Sequence, residues 1–545
     1  MLKKDREDFI NEILRSPSTK KIVVGGPGTG KTCLFEKIIQ GKNKSLTLTF
    51  VNELVDDLSL ELYGISTVKT LHSYAQRELS HLLKKKIKIF PKLPEVIKED
   101  AKILLNKEIE FDKLFHNRED NNKYIDFYKK RKNYYKHYGY SDVIFGIVKM
   151  FEKFRDKIPQ YNQIIIDEFQ DFNKLEVSLI DLLSQKSPIL LAGDDDQALY
   201  EDLKDASPEH IRQRYCNKDF GYSPFNLPYC SRCTRVIVDA VNDVIYTANK
   251  KGFLKNRIEK TFEYFENKDK DVISDQNKKI IYCQEYNTAI PYYIQKQISN
   301  IAEERRKKFS VLIISPLGRH AKMIASILKK KGFKNIEFVG KKYNEKATFL
   351  EGLKILLEDK VSNLGWRIVS RNILSDKEFS TLIEESDKEN AEQIKDIVSN
   401  TCKEEVKKLL RILNAVKKGN QVNQEELEYM FKRIEIKPYD LAKDFLIDDI
   451  DYSNQKIIDP GLRKIPIKTT TIHSSKGLSS DYVFITHFDD RYFIKNKDKK
   501  IISDQEICNF VVSLARARIK VFLISSIKKR PTFLKWIQKN RIEEN

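Results

Sequence analysis

Two α/β domains with parallel sheets, each interrupted by a mainly helical insertion, are what the 545-residue sequence predicts. Three features predict them. Short β-branched runs alternate with helical text in two separate series, the pattern of a parallel sheet. The first of these runs leads directly into a glycine-rich loop and a helix. Long stretches between the runs carry apolar residues at a spacing near 3.6. At roughly 150 residues per domain, a chain of this length holds three or four domains.

The elements follow in chain order. Ile22–Val24 reads as a buried strand, and Cys33-Leu-Phe-Glu-Lys-Ile-Ile as the helix after the glycine loop. Leu46–Phe50 is the next strand. From Tyr74 to about Gln160 the text is helical, rich in lysine and aromatic. Ile164–Ile166 and Ile189–Ala192 are further strands, each followed by acids. A second series begins after Asn226, with strands expected at Lys279–Tyr282, Val311–Ile314, Tyr482–Ile485 and Val521–Ile524. Between the second and third of these lies a charged helical stretch, about Tyr343–Ile465. Leu350–Leu357 and Glu404–Leu413 carry its clearest helical periodicity.

Composition narrows the classes. Hydrophobic residues are 41% and charged residues 33%, so folded domains are expected and wholesale disorder is excluded. No apolar run approaches the ~20 residues of a membrane span, and Met1–Ile10 lacks the apolar core of a signal peptide. Seven cysteines without framework spacing fit a reducing cytosol, so the expected location is cytoplasmic. Lys+Arg exceeds Asp+Glu by 99 − 79, a net charge of +20. Such a surface attracts polyanions and points to nucleic acid.

Gly25-Gly26-Pro27-Gly28-Thr29-Gly30-Lys31-Thr32 satisfies the phosphate-loop pattern, with a strand before it and a helix after. Glycines let backbone N–H groups converge on phosphate oxygens, and the helix N-terminus adds positive dipole. Lys31 is then placed to reach the β- and γ-phosphates and Thr32 to hold Mg²⁺. Asp167 and Glu168 follow the strand Ile164–Ile166. A carboxylate at the carboxyl end of a neighbouring parallel strand lies beside the phosphate loop. Asp167 is the second candidate for Mg²⁺, and Glu168 the candidate to orient and activate water.

These residues, with several others, resemble the UvrD/Rep/PcrA-type superfamily 1 helicases. The resemblance is carried, in the family's order, by the phosphate loop, Thr47–Asn52, Thr70–Ser73, Ile166–Asp171, Ala192–Tyr200, Ser231-Arg232, Thr471–Leu478 and Leu514–Arg518. It implies two RecA-like P-loop NTPase domains with parallel sheets: 1–74 with 160–227, and 228–345 with 466–545. The helical insertions are then 75–159 and 346–465. It further implies ATP and Mg²⁺ as ligands, with Gly25–Cys33 and Gln170 in the nucleotide site. Gln170 and Gln197 resemble glutamines that sense the γ-phosphate. Arg232 and Arg516 resemble arginines that the second domain projects onto it. Phe50, His72, Tyr200 and His473 match positions near single-stranded DNA, with RNA left open as the strand.

The implied activity is ATP-dependent 3′→5′ translocation or unwinding of DNA, in repair, plasmid maintenance or defence. An alternative is a DNA-stimulated ATPase acting as sensor or regulator, with a separate nuclease in anti-phage defence. Three departures bear on these expectations. Leu203 falls near a base-stacking aromatic of the family, Ser231 replaces the tyrosine before the arginine, and Ser479 replaces a glutamate after Lys-Gly-Leu. Lys123–Tyr140 interleaves lysines with tyrosines, which suits either strand binding or a helix burying its tyrosine bodies. Cys230-x2-Cys233 offers only two of the four ligands of a structural zinc.

Overall fold

The computed structural model describes residues 5–49, 52–200, 205–304, 308–340, 346–388, 393–418, 420–434, 464–494 and 502–545. Phe50 and Leu203 lie outside them. The chain forms two compact units. Met1–Tyr74, Met150–Lys341 and Gln455–Asn545 make the first, and Ala75–Lys149 with Lys342–Asn454 the second.

The first unit holds two large parallel sheets. The first sheet is built from β1 (Lys20–Gly25), β2 (Ser45–Thr49), β3 (Thr67–Thr70), β4 (Gln163–Ile166), β5 (Ile189–Gly193) and β6 (Ser223–Leu227). Its order is β3-β2-β4-β5-β1-β6. β5 therefore separates β4 from β1, so the acids after β4 reach the phosphate loop across one intervening strand rather than from its immediate neighbour. Val23, Leu34, Phe35, Ile165 and Leu190 form the core beneath this sheet.

A two-stranded ribbon, β7 (Tyr229–Cys230) with β8 (Glu263–Tyr264), follows the first sheet. The second sheet takes β9 (Ile280–Gln284), β10 (Val311–Ser315), β11 (Ile336–Val339), β12 (Ile467–Thr471), β13 (Ser480–Thr486), β14 (Ala517–Ser525) and β15 (Ile542–Glu544). Its order is β11-β12-β10-β13-β14-β9-β15. Successive strand residues point to opposite faces. Leu312, Ile314, Val483 and Ile485 enter one core, while Val311, Ile313, Phe484 and Phe522 enter another. Covering on both faces is why these strands read as continuous apolar runs rather than alternating ones.

The second unit is helical, and it brings two distant stretches of chain into one core. Helices Leu93–Leu105 and Lys123–Tyr135 pack with Asn363–Ile373 and Asp376–Glu385. Buried charge ties them. Arg131 and Arg367, each at most 2% exposed, both bond Asp100, which is fully buried. The Tyr135 hydroxyl donates to the same carboxylate at 2.6 Å. In the lysine–tyrosine segment, Tyr128 and Tyr135 are thus core residues, and the tyrosine-burying alternative holds for that face of the helix. Among the described residues no helix is long and apolar enough to cross a membrane.

Burial alone would raise the Asp100 carboxyl, but Arg131 and then Arg367 more than offset it and hold it below the ordinary value. A depressed acid contributes stability above its unfolded pKa and loses it as pH falls. Asp100→Asn leaves two guanidiniums without their anion. It should cost about 3–5 kcal/mol in chemical denaturation at neutral pH, the cost of breaking a buried pair. The gap between wild type and variant should narrow as pH is lowered through about 4.

Candidate nucleotide and strand site

The site forms at the carboxyl edge of the first sheet, where α/β sheets bind ligands. β1 ends in the loop Gly26–Gly30, and the helix Lys31–Ile39 starts immediately after it. Gly30 sits in the left-handed region at φ 91°, which caps the helix without a side chain. Gly28, at φ 72°, is held for a second reason: a Cβ there would clash with the Arg232 Cβ. Two elements of backbone meet at that point. Ser231 donates to the Gly28 carbonyl from its N–H at 2.9 Å and from its hydroxyl at 3.1 Å. This is what Ser231 does in place of a stacking ring. Tyr229, two residues earlier, packs instead against Phe9 and Phe265 at 5.9 and 6.2 Å.

A cavity of about 280 Å³ opens over the loop. It is lined by Gly28, Lys31 and Thr32 of the loop and following helix, by Asp167, Glu168 and Gln197, and by Arg232 and Arg516. Pro27, Thr29 and Gly30 also line it, whereas Cys33 in the first helical turn does not. The Lys31 ammonium donates to the Gly25 carbonyl at 2.8 Å and to that of Gly26 at 3.4 Å.

Below the cavity the polar groups form a continuous chain. Gln170 donates to Glu168 Oε2 at 2.6 Å and accepts from the Asp194 N–H at 3.0 Å. Gln197 donates to Asp194 Oδ2 at 2.8 Å and accepts from Arg516 Nη2 at 3.0 Å. Glu168 occupies the left-handed region at φ 53°, a position that costs a non-glycine residue energy and is found at functional sites.

Lys476 belongs to the Thr471–Leu478 motif, whose local pattern gives it no partner, and it is 5% exposed. It bonds Asp171, stands 3.5 Å from Glu168 Oε2 and donates to the Gln197 carbonyl at 2.9 Å. The two neighbouring acids consequently behave differently. Burial and the charge of Glu168 raise the Asp167 carboxyl. Burial would raise Glu168 too, but Lys476 and Lys31 more than offset it and hold Glu168 ionised. Burial, then the nearby Arg232, lowers the Arg516 guanidinium to about 10. Thr32 and Asp167 offer a hydroxyl and a carboxylate to the same cavity, a hard-oxygen set that suits Mg²⁺.

Among the strand candidates, Tyr200 donates its hydroxyl to the His473 carbonyl at 3.2 Å, so these two meet. His72 Nε2 stands 3.7 Å from a Glu176 carboxylate oxygen. Phe50 is outside the described residues. The Cys233 N–H approaches Cys230 Sγ at 3.5 Å, and both thiols are buried and free.

The chain is similar in sequence to known proteins over part of its length. A family model described as an AAA domain matches residues 10–202. DNA helicase II of Haemophilus influenzae is 32% identical over 111 residues, 19% of this chain and 15% of that protein. ATP-dependent DNA helicase srs2 of Schizosaccharomyces pombe is 28% identical over 152 residues, 26% of this chain and 17% of that protein. DNA helicase II of Escherichia coli is 34% identical over 91 residues, 16% and 12% of the two chains. The chain thus spans less than a fifth of the length of these curated relatives in the matched segments.

Fold and site define a P-loop NTPase. The matched segments are similar to those of UvrD/Rep-like superfamily 1 helicases.

Gly28→Ala tests the loop. The added methyl meets Arg232 and strains a left-handed residue, at a cost of about 1–3 kcal/mol. Chemical denaturation at neutral pH should show Gly28→Ala less stable than wild type by about that amount.

Proposed function

We propose that the chain is an ATP-dependent motor that moves 3′→5′ along single-stranded DNA and unwinds duplex ahead of it. The observation that carries this is one cavity lined by Lys31, by Asp167 and Glu168, and by Arg232 and Arg516. ATP is the substrate that such a cavity fits. Its phosphates meet the loop N–H groups and Lys31, while the two guanidiniums meet the charge that builds on the γ-phosphoryl group. Glu168, held ionised, orients water for in-line attack. Thr32 and Asp167 would hold Mg²⁺, which would supply positive charge against the phosphates. Gln170 and Gln197 link the γ-phosphate position to the strand through the bonds they share with Asp194.

The domain reading is part of the same proposal: 1–74 with 160–227, and 228–345 with 466–545, are the two ATP-binding lobes. The insertions are 75–159 and 346–465. Supporting it, each large sheet draws its strands from one pair of ranges. Phe50, His72, Tyr200 and His473 are the proposed strand contacts, and Tyr200 meeting His473 supports two of them. Stepping follows only if ATP and strand each bind the open and closed states with different affinity.

Lys31→Ala should lower strand-stimulated ATP turnover by at least about a hundredfold, the scale for losing one charge-stabilising donor, with the melting midpoint retained. Retained turnover would place the chemistry elsewhere. The wild-type enzyme on a forked duplex should displace the strand. Turnover without displacement would favour the sensor alternative. Binding to a labelled oligonucleotide should weaken linearly on a log–log plot against salt, by roughly 0.7 per phosphate neutralised.

A further inference from the structure

The run Asp194-Asp195-Asp196 follows β5 and is buried, with each residue at most 3% exposed. Among the described residues it is the one cluster of three acids whose ligand atoms lie close enough to share a cation. The chain supplies that cation itself. The Lys260 ammonium stands 2.7 Å from Asp194 Oδ1 and 2.8 Å from Asp196 Oδ2, and it also bonds Asp195. Burial alone would lower the Lys260 pKa, but the three carboxylates, Asp194 first, more than reverse it.

Lys260 is not part of the first sheet's lobe. It lies between the helix Arg235–Lys250 and β8. Its neighbours in sequence, Leu254 and Phe262, belong to a core of the second sheet. Arg257 from the same segment grips Asp196 with two bonds, 3.0 and 2.6 Å. The cation therefore comes from one lobe and the acids from the other.

What Asp194 touches gives the contact its consequence. A carboxylate can only accept hydrogen bonds, so Gln197 must turn its NH₂ toward Asp194 and its carbonyl toward Arg516. That carbonyl is the side-chain partner of Arg516 Nη2, while the Val512 and Leu478 carbonyls accept from Nε and Nη1 at 3.1 and 3.4 Å. The Asp194 backbone N–H likewise requires the Gln170 carbonyl, which leaves the Gln170 NH₂ for Glu168. We propose that Lys260 is a positioning residue of the hydrolytic site: by pinning Asp194 from the opposite lobe, it fixes the amide orientation of Gln197 and the aim of Arg516. The hydrolytic machinery is thereby completed only while the second lobe is seated. This rests on the hydrolytic reading above.

The test compares Lys260→Met, Asp194→Asn and Arg257→Met with wild type, measuring ATP turnover with single-stranded DNA and affinity for a fluorescent ATP analogue. Lys260→Met should lower kcat by at least about tenfold, the scale of a misplaced catalytic group, and leave analogue affinity within about threefold. Asp194→Asn should do the same while folding normally, because Lys260 keeps two carboxylates. Its amide must turn an NH₂ toward either Lys260 or the Gln197 NH₂. Arg257→Met breaks a buried pair of the same cluster but touches neither Asp194 nor a glutamine. Its kcat should stay within about threefold of wild type even where its melting midpoint falls. If Lys260→Met does not fold, Asp194→Asn decides the matter. The proposal is overturned if Asp194→Asn keeps kcat within about twofold of wild type, or if Arg257→Met loses as much as Lys260→Met. A wild type without turnover would instead overturn the hydrolytic reading, which separates the two failures.

Discussion

The carboxyl edge of the first sheet gathers Asp167, Glu168, Asp171, Asp194, Asp195 and Asp196, all at most 9% exposed. Taking so many carboxylates out of water is unfavourable unless each meets a cation or a donor. The required cations come largely from the other sheet's side of the unit. Lys476 follows β12 and meets Asp171 and Glu168. Lys260 and Arg257 meet the aspartate run. The helix Asp504–Leu514 adds Gln505, which donates to the Leu199 carbonyl at 3.0 Å. The charge that makes the cavity chemically capable is thus the same charge that requires the second sheet to be present. Neither sheet satisfies its own polar groups alone.

That dependence explains why the site is more legible in the sequence than its wiring. The phosphate loop and the acids after Ile166 are local patterns, each fixed by a strand end and a turn. Their types and spacing identify them without any tertiary information. Lys260, Lys476 and Ser231 act through partners far away in sequence or on another sheet, and nothing in their own neighbourhood marks those partners. Arg516 is legible through family resemblance, whereas its physical partner, Gln197, emerges only from the folded contact.

The strands show the same division. Expected runs such as Val311–Ile314 are apolar and buried on both sides, so composition alone reveals them. β12, Ile467–Thr471, is largely threonine and reads as polar text, yet Thr469 and Thr470 are fully buried one strand in from the sheet edge. β6 contains Pro224, which local rules exclude from a central strand. It sits at the sheet edge, next to β1, where a missing donor is tolerated. The lysine–tyrosine helix is ambiguous in sequence for a third reason: periodicity does not say which side of it is covered, and only the fold shows Asp100 and Ser386 enclosing Arg131.

The two units solve the problem of buried charge with opposite consequences. In the second unit Asp100 is enclosed by Arg131, Arg367 and Tyr135, and every one of these groups is itself buried. Such a network has one satisfied arrangement, and any motion between its helices exposes uncompensated charge. In the first unit Asp167 and Glu168 line a cavity, and Lys476 and Lys260, partners of the acids gathered there, come from the other sheet's side. On the proposed reading, separation there would expose both acids and cations to water, which would solvate them, whereas opening the second unit's core would leave its charges enclosed by apolar helices. A nucleotide bringing negative phosphates to Lys31 and the two arginines would then change the balance between open and closed. Differential affinity of that kind is what a motor or a switch of the proposed type requires.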